Sequence, residues 1–107
     1  MEKLNVKYAY GVMVQTHELP RYNNMWYSYG DPGTITYVHS YNTLIGIYDK
    51  KENVFIEWAH YMKYSPTTSK QATKVSNYLS GNYQTTIIRA SDWQTVEKFT
   101  KERNIKI

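Results

Sequence analysis

The chain predicts an α+β domain: an antiparallel β-sheet with two helices packed on one face, in the order β-β-β-β-α-β-α. Three observations predict it. Segments of β-branched and aromatic residues with a period of two fill the first half. Two segments with apolar residues at three- and four-residue steps, each opened by a capping signal, occupy the second half. A short β-branched run separates those two helical segments, and strands followed by helices over one sheet are the pattern of this class.

Residues 5–15 open the sheet, because Val6, Tyr8, Tyr10, Val12 and Val14 alternate with Lys7, Ala9, Gly11 and Met13 and so give a long strand one apolar face. Residues 17–33 break that period. Pro20, Asn23, Asn24, Gly30, Asp31, Pro32 and Gly33 punctuate them, and a long aromatic loop is expected there. Residues 34–38 and 42–48 return to β-branched and aromatic character, as two strands or one strand bent near His39-Ser40-Tyr41. The polar tip Asp49-Lys50-Lys51-Glu52-Asn53 then turns a hairpin whose return arm, residues 54–59, sets Val54, Ile56 and Trp58 opposite Phe55 and Glu57.

Ser65 before Pro66 is a helix start, with the serine as N-cap and proline at the first helical position. Ala72, Val75 and Leu79 form the apolar stripe, and Gly81 is placed to take the left-handed conformation that ends the helix. Residues 85–90 read as a short strand. Ser91-Asp92-Trp93-Gln94 has the form of a capping box with Ser91 at the cap; Trp93, Val96 and Phe99 make the buried stripe of the second helix, and Asn104 ends it. The expected core is Val6, Val12, Ile45, Ile47, Ile56, Trp58, Val75, Leu79, Ile87, Val96 and Phe99.

A length of 107 residues fits a single domain over 1–107. The chain has no cysteine, which removes disulfides, thiolate metal sites and cysteine nucleophiles and fits a reducing cytoplasm. No leader pattern and no bilayer-length apolar run is present, so a soluble protein without a membrane partner is expected. Thirteen Lys or Arg against nine Asp or Glu leave a formal charge of +4, a bias toward anionic partners or simply a solubilising surface.

Twelve tyrosines among so few other aromatics point to recognition, because tyrosine buries a ring while its hydroxyl keeps seeking a partner. Tyr22, Trp26, Tyr27 and Tyr29 on the expected loop are candidate partner-binding residues, unless they fold back as a satellite core. A second candidate region combines the helix start with nearby cations: Lys63, Tyr64, Ser65, Thr67, Thr68, Ser69, Lys70 and Lys74. Hydroxyls and ammonium groups at a helix N-terminus favour anions, and rings interleaved with lysine suit single-stranded nucleic acid. The bland alternative is a set of capping hydroxyls beside a solvated lysine face. His17, His39 and His60 show no ligand spacing, no nucleophile motif is present, and Glu57 reads either as a buried acid or as a solvent-facing strand residue. No metal, no cofactor and no catalytic residue is expected.

Ser40-Tyr41-Asn42-Thr43-Leu44-Ile45, Trp58 and Tyr64-Ser65-Pro66-Thr67-Thr68-Ser69-Lys70 resemble a small uncharacterised family of bacteriophages and bacterial mobile elements. The likeness covers the middle third of the chain, and Gln71 stands where that family usually has histidine. It implies an accessory role in the cytoplasm of a host cell and assigns no reaction. The resulting expectation is a non-enzymatic binding protein that occludes a host protein such as a defence nuclease. The alternatives are a nucleic-acid-binding module, or an anion or nucleotide binder at the 65–70 helix start.

Overall fold

Polar residues 50–53 close a hairpin between strands that bury both of their faces, and the rest of the sheet is built outward from it. The computed structural model describes residues 12–14, 24–30 and 34–105 of the protein. In chain order the elements are β1 (Val12–Val14), β2 (Met25–Tyr29), β3 (Ile35–Ser40), β4 (Thr43–Asp49), β5 (Val54–Glu57), α1 (Pro66–Tyr83), β6 (Thr86–Arg89) and α2 (Trp93–Glu102). The class is α+β, and the order is the expected one with one strand more. The strands lie side by side in sequence order, antiparallel from β1 to β5, with β6 parallel to β5. That parallel pair follows from chemistry: α1 carries the chain back over the sheet, so β6 enters in the direction of β5.

The additional strand is β2, inside the expected aromatic loop. Met25, Tyr27 and Tyr29 alternate with Trp26 and Ser28, and pairing to β1 and β3 on both sides turns this short alternation into a strand. Residues 35–40 and 43–49 are two strands, joined at Tyr41, which has φ 54°. A bulge between Val38 and His39 shifts their register. Asn53 also takes a left-handed φ, 55°, and fastens the hairpin to the next layer. Its Oδ1 accepts from Tyr48 Oη at 3.0 Å and Thr85 Oγ1 at 2.6 Å, while its Nδ2 donates to Tyr83 O at 2.7 Å.

Paired residues share a sheet face, so the register shows which helix covers which side. Ser40 and Glu57 lie on one face and reach α1, Ser40 through Thr68 and Gln71 and Glu57 through His60 to Thr73. Asp49 lies on the other face and accepts from Arg103 Nε, just past α2, at 2.8 Å. Trp58, next along from Glu57, meets Trp93 of α2 edge-on at 5.9 Å between ring centroids. The two helices therefore cover opposite faces of the sheet, not one face as expected. The physical reason is that β3, β4 and β5 are apolar on both sides and need cover on both.

Ile45, Ile47, Ile56, Trp58, Val75, Leu79, Val96 and Phe99 are buried in one cluster as expected, whereas Ile87 is half-buried at the β6 edge. Val6 and the side chain of Val12 lie outside the described residues. Trp58 Nε1 donates to Leu44 O at 3.1 Å, so its polar edge is satisfied inside the core. Gly46 is required here: a Cβ would stand 2.8 Å from Ile56 O and from the Phe55 ring.

Both helix starts use side-chain caps, and one differs by a residue from expectation. Ser65 Oγ accepts from Thr68 N at 3.3 Å, while Asp92, rather than Ser91, caps α2 by accepting from Thr95 N at 2.8 Å. Asp92 wins because its carboxylate also accepts from Thr95 Oγ1, and both bonds hold that carboxyl below the usual carboxylate range. α1 runs through Gly81 and stops at Gln84, which takes the left-handed conformation with φ 54°. Its N–H and that of Thr85 turn back to Ser80 O and Leu79 O, so the stop is made by chain reversal into β6 and not by glycine. Asn104, with φ 57°, ends α2 as expected. Among the described residues no helix is long and apolar enough to cross a membrane.

Candidate functional site

The two regions singled out in the sequence fare differently. Tyr27 is 1% exposed and belongs to the core, because β2 is a central strand; it is not available to a partner. Trp26 points to the other face, where its ring stacks on His39 at 3.6 Å with 10° between planes. Tyr29 is in β2, its side chain outside the described residues, as is Tyr22. Among the described residues two large aromatic rings are exposed, Tyr83 at the end of α1 and, more so, Tyr41, 53% exposed at the β3–β4 turn. Asn24 Nδ2 donates to its hydroxyl at 3.1 Å, and Trp26 Nε1 donates to its carbonyl at 2.6 Å, so the ring is held in place.

His39 beneath Trp26 is fully buried. Burial pushes its pKa down to about 3, so it is neutral at physiological pH. Its Nε2 meets Ser28 Oγ at 3.1 Å while Nδ1 has no hydrogen-bond partner among the described residues. An idle lone pair costs less than an unpaired N–H, so the hydrogen belongs on Nε2 and donates to Ser28.

The α1 start is spent on structure. Hydroxyls hand one another hydrogen bonds in series: Ser65 Oγ donates to Thr68 Oγ1 at 3.1 Å, Thr68 to Ser40 Oγ at 3.2 Å, and Ser40 to Gln71 Oε1. This relay joins the end of β3 to the first turns of α1 and gives Gln71 a buried structural role. Ser65 and Thr68 are therefore committed to the fold, and Tyr64 is buried. At the helix start the N–H of Thr68 and that of Ser69 are already taken by Ser65, so neither is offered to an anion. Thr67 and Lys63 are exposed nearby.

One to two turns further along α1 the picture changes. Ser69, Lys70, Thr73 and Lys74, which are paired at i and i+4 on adjoining rows of the helix, line an open groove of about 310 Å³ together with His60. Among the described residues no carboxylate lines it. Behind the groove lies Glu57, fully buried on β5. Its Oε1 accepts from His60 Nδ1 at 2.9 Å and pairs with Arg89 Nε of β6 at 3.2 Å, and its Oε2 accepts from Ala59 N at 3.0 Å. A buried carboxylate with those partners is satisfied and holds the imidazole in one orientation. His60 Nε2 then faces Thr73 Oγ1 at 3.2 Å, and Thr73 donates to Ser69 O at 3.1 Å.

Carboxylate, imidazole and hydroxyl thus stand in line, as in a nucleophilic triad, but the setting differs from one. Backbone N–H groups around Thr73 belong to the interior of α1 and are used by its own i to i−4 bonds, so no oxyanion hole stands beside the hydroxyl. The exposed cations at its edge are those of Lys70 and Lys74, while both His60 nitrogens and the Thr73 hydroxyl are engaged with Glu57, one another and Ser69 O. Among the described residues no three possible metal ligands converge.

Of the residues around the groove, sequence reasoning named Ser69, Lys70 and Lys74 and weighed Glu57 as a buried acid, which it is, but did not connect His60, Thr73 and Arg89 with them. One signal was present: between Glu57 and Asp92 there is no acidic residue, and Lys63, Lys70, Lys74 and Arg89 fall in that stretch. Comparison with family models, curated proteins and solved structures finds no match to this chain.

Proposed function

We propose that the protein acts by binding an anionic macromolecule, nucleic acid, along α1 and the turn before it. The observation that carries the reading is the segregation of charge. The four cations between Glu57 and Asp92 equal the formal excess of +4, and the other nine cations match the nine carboxylates. Lys70 and Lys74 lie one turn apart on the groove, and His60 and Arg89 are held next to it by a buried carboxylate. Such a stripe meets the spacing of backbone phosphates, and its energy comes from counterion release rather than base contacts.

The experiment is fluorescence anisotropy with single-stranded and duplex oligonucleotides at about 50 mM salt, repeated as salt rises. Affinity is expected to fall with salt, and Lys70→Glu with Lys74→Glu to abolish binding while the melting temperature stays near wild type. Absence of binding by the wild-type chain at low salt sinks the reading.

A second reading, occlusion of a host protein in a phage-type accessory role, draws on Tyr41. A rigid, half-exposed ring held by Asn24 and Trp26 costs little entropy to bury, which is the character of an interface hot spot. Pull-down from bacterial lysate with and without nuclease treatment separates the two: capture that survives nuclease and is lost in Tyr41→Ala favours the protein partner.

A further inference from the structure

We propose that the free edge of β6 pairs with β6 of a second copy of this chain, antiparallel about a two-fold axis at Ile88, so that two sheets become one. The proposal goes beyond the nucleic-acid reading and does not rest on it.

Hydrogen-bond parity defines the edge. β6 is the last strand of the sheet among the described residues, and it is bonded on one side only, to β5. Thr86 N donates to Asn53 O at 3.1 Å and Ala90 N to Glu57 O at 2.9 Å. Backbone groups alternate along a strand, so Thr86, Ile88 and Ala90 turn theirs toward β5, and Ile87 and Arg89 turn theirs away from it. Nothing guards those outward groups in the manner usual for an edge strand: β6 has no proline, no lysine and no bulge. Ile87 and Ile88 are half-exposed, one toward the face of α1 and the other toward the face of α2.

The occupant follows from self-complementarity. An axis at Ile88 sets Ile87 of each copy opposite Arg89 of the other, and these are the two residues with outward N–H and C=O groups. Four backbone hydrogen bonds then close across the seam. Ile88 meets Ile88 of the second copy as the non-hydrogen-bonded pair between them, where side chains approach most closely. The net charge of +4 on each copy is not brought to the seam. Arg89, the one charged residue of β6, leans back over β5 with Nε 3.2 Å from Glu57 Oε1. A two-fold pairing also leaves no β6 edge open, whereas an added foreign strand presents a new edge of its own. The axis is perpendicular to the sheet, so both copies of α1 lie on one side and both copies of α2 on the other. The seam is short, and the association is expected to depend on concentration.

The test begins with sedimentation velocity of the full chain over a concentration series, in which a dimer is expected to grow in. Ile87→Pro removes an N–H that only the second copy uses, and is expected to give a monomer that still melts cooperatively. Disulfide trapping checks the register without disturbing the backbone. The chain has no cysteine of its own, so Ile88→Cys and Thr86→Cys each carry a single thiol. At Ile88 the paired Cα atoms stand about 4.5 Å apart, within disulfide reach, and rapid cross-linking under mild oxidation is expected. At Thr86 the two thiols are four residues out of register, roughly 13 Å apart, and remain free.

A dimer that is lost in Ile87→Pro and trapped at position 88 but not at 86 supports the seam. A chain that stays monomeric from micromolar to millimolar concentration overturns it. So does a folded Ile87→Pro variant that dimerises like the wild type, or cross-linking as fast at 86 as at 88. Should Ile87→Pro fail to fold, the two cysteine variants decide alone.

Discussion

His39 and Trp58 show how single residues set the conditions under which this fold survives. His39 is held neutral with its pKa lowered to about 3, whereas in the unfolded chain it titrates near 6.5. Between those values the unfolded state binds the extra proton, so stability is greatest above pH 6.5 and falls as pH drops, by roughly 1.4 kcal/mol per unit down to about pH 3. Chemical denaturation across that window is expected to show this slope, and His39→Phe to flatten it. An equal slope in the variant assigns the acid sensitivity to other groups. Trp58 fills the core between β4, β5 and α2, and Trp58→Ala is expected to cost about 3–5 kcal/mol. An unchanged denaturation midpoint removes it from the core.

At the scale of elements, the two ends of α1 give opposite predictions. Gly81 lies inside the helix with open space where a Cβ would stand, so Gly81→Ala is expected to stabilise the protein by about 0.5–1 kcal/mol. Were Gly81 instead the left-handed terminator that its position in the sequence implies, the same change would destabilise, so the sign of the change in thermal midpoint decides. At the other end, Ser40→Ala breaks the hydroxyl relay from Ser65 to Gln71. It removes two buried hydrogen bonds, to Thr68 and to Gln71, for an expected loss of about 1–3 kcal/mol. A neutral Ser40→Ala variant would mean that water replaces the relay.

For the molecule as a whole, the sheet divides labour between its two faces. One face carries α2 and the Arg103 cluster, where the guanidinium is shared between Asp49 and Glu52 and lies 3.7 Å from the centroid of the Phe99 ring. The other carries α1, the relay and the cationic groove. Charge reversal at Lys70 and Lys74 is therefore expected to change binding alone, because both side chains are exposed. Tyr27→Ala is expected to lower stability by about 3–5 kcal/mol, since the ring is in the core. Differential scanning calorimetry of the two variants, read beside oligonucleotide binding, checks both halves. A charge-reversed protein that melts early contradicts the separation of faces.

Element types, the Ser65-Pro66 helix start, the hairpin tip at 50–53 and most of the core were legible in the sequence, because each is written in neighbouring residues. Periodicity, a cap and a turn act within one or two turns of backbone. Pairing decided the rest. β2 became a strand because β1 and β3 flank it, which moved Tyr27 from an expected contact surface to the core. The helices took opposite faces because β3, β4 and β5 needed cover on both. The groove is nonlocal in the same sense: Glu57, His60, Thr73 and Arg89 come from β5, the following turn, α1 and β6. Only the parallel pairing of β5 with β6, under the helix that connects them, sets Glu57 opposite Arg89, and only the packing of that helix on the sheet brings Thr73 to the imidazole. Local signals specify which elements form, while the meeting of side chains from separate elements depends on burial and register, which the whole fold must satisfy at once.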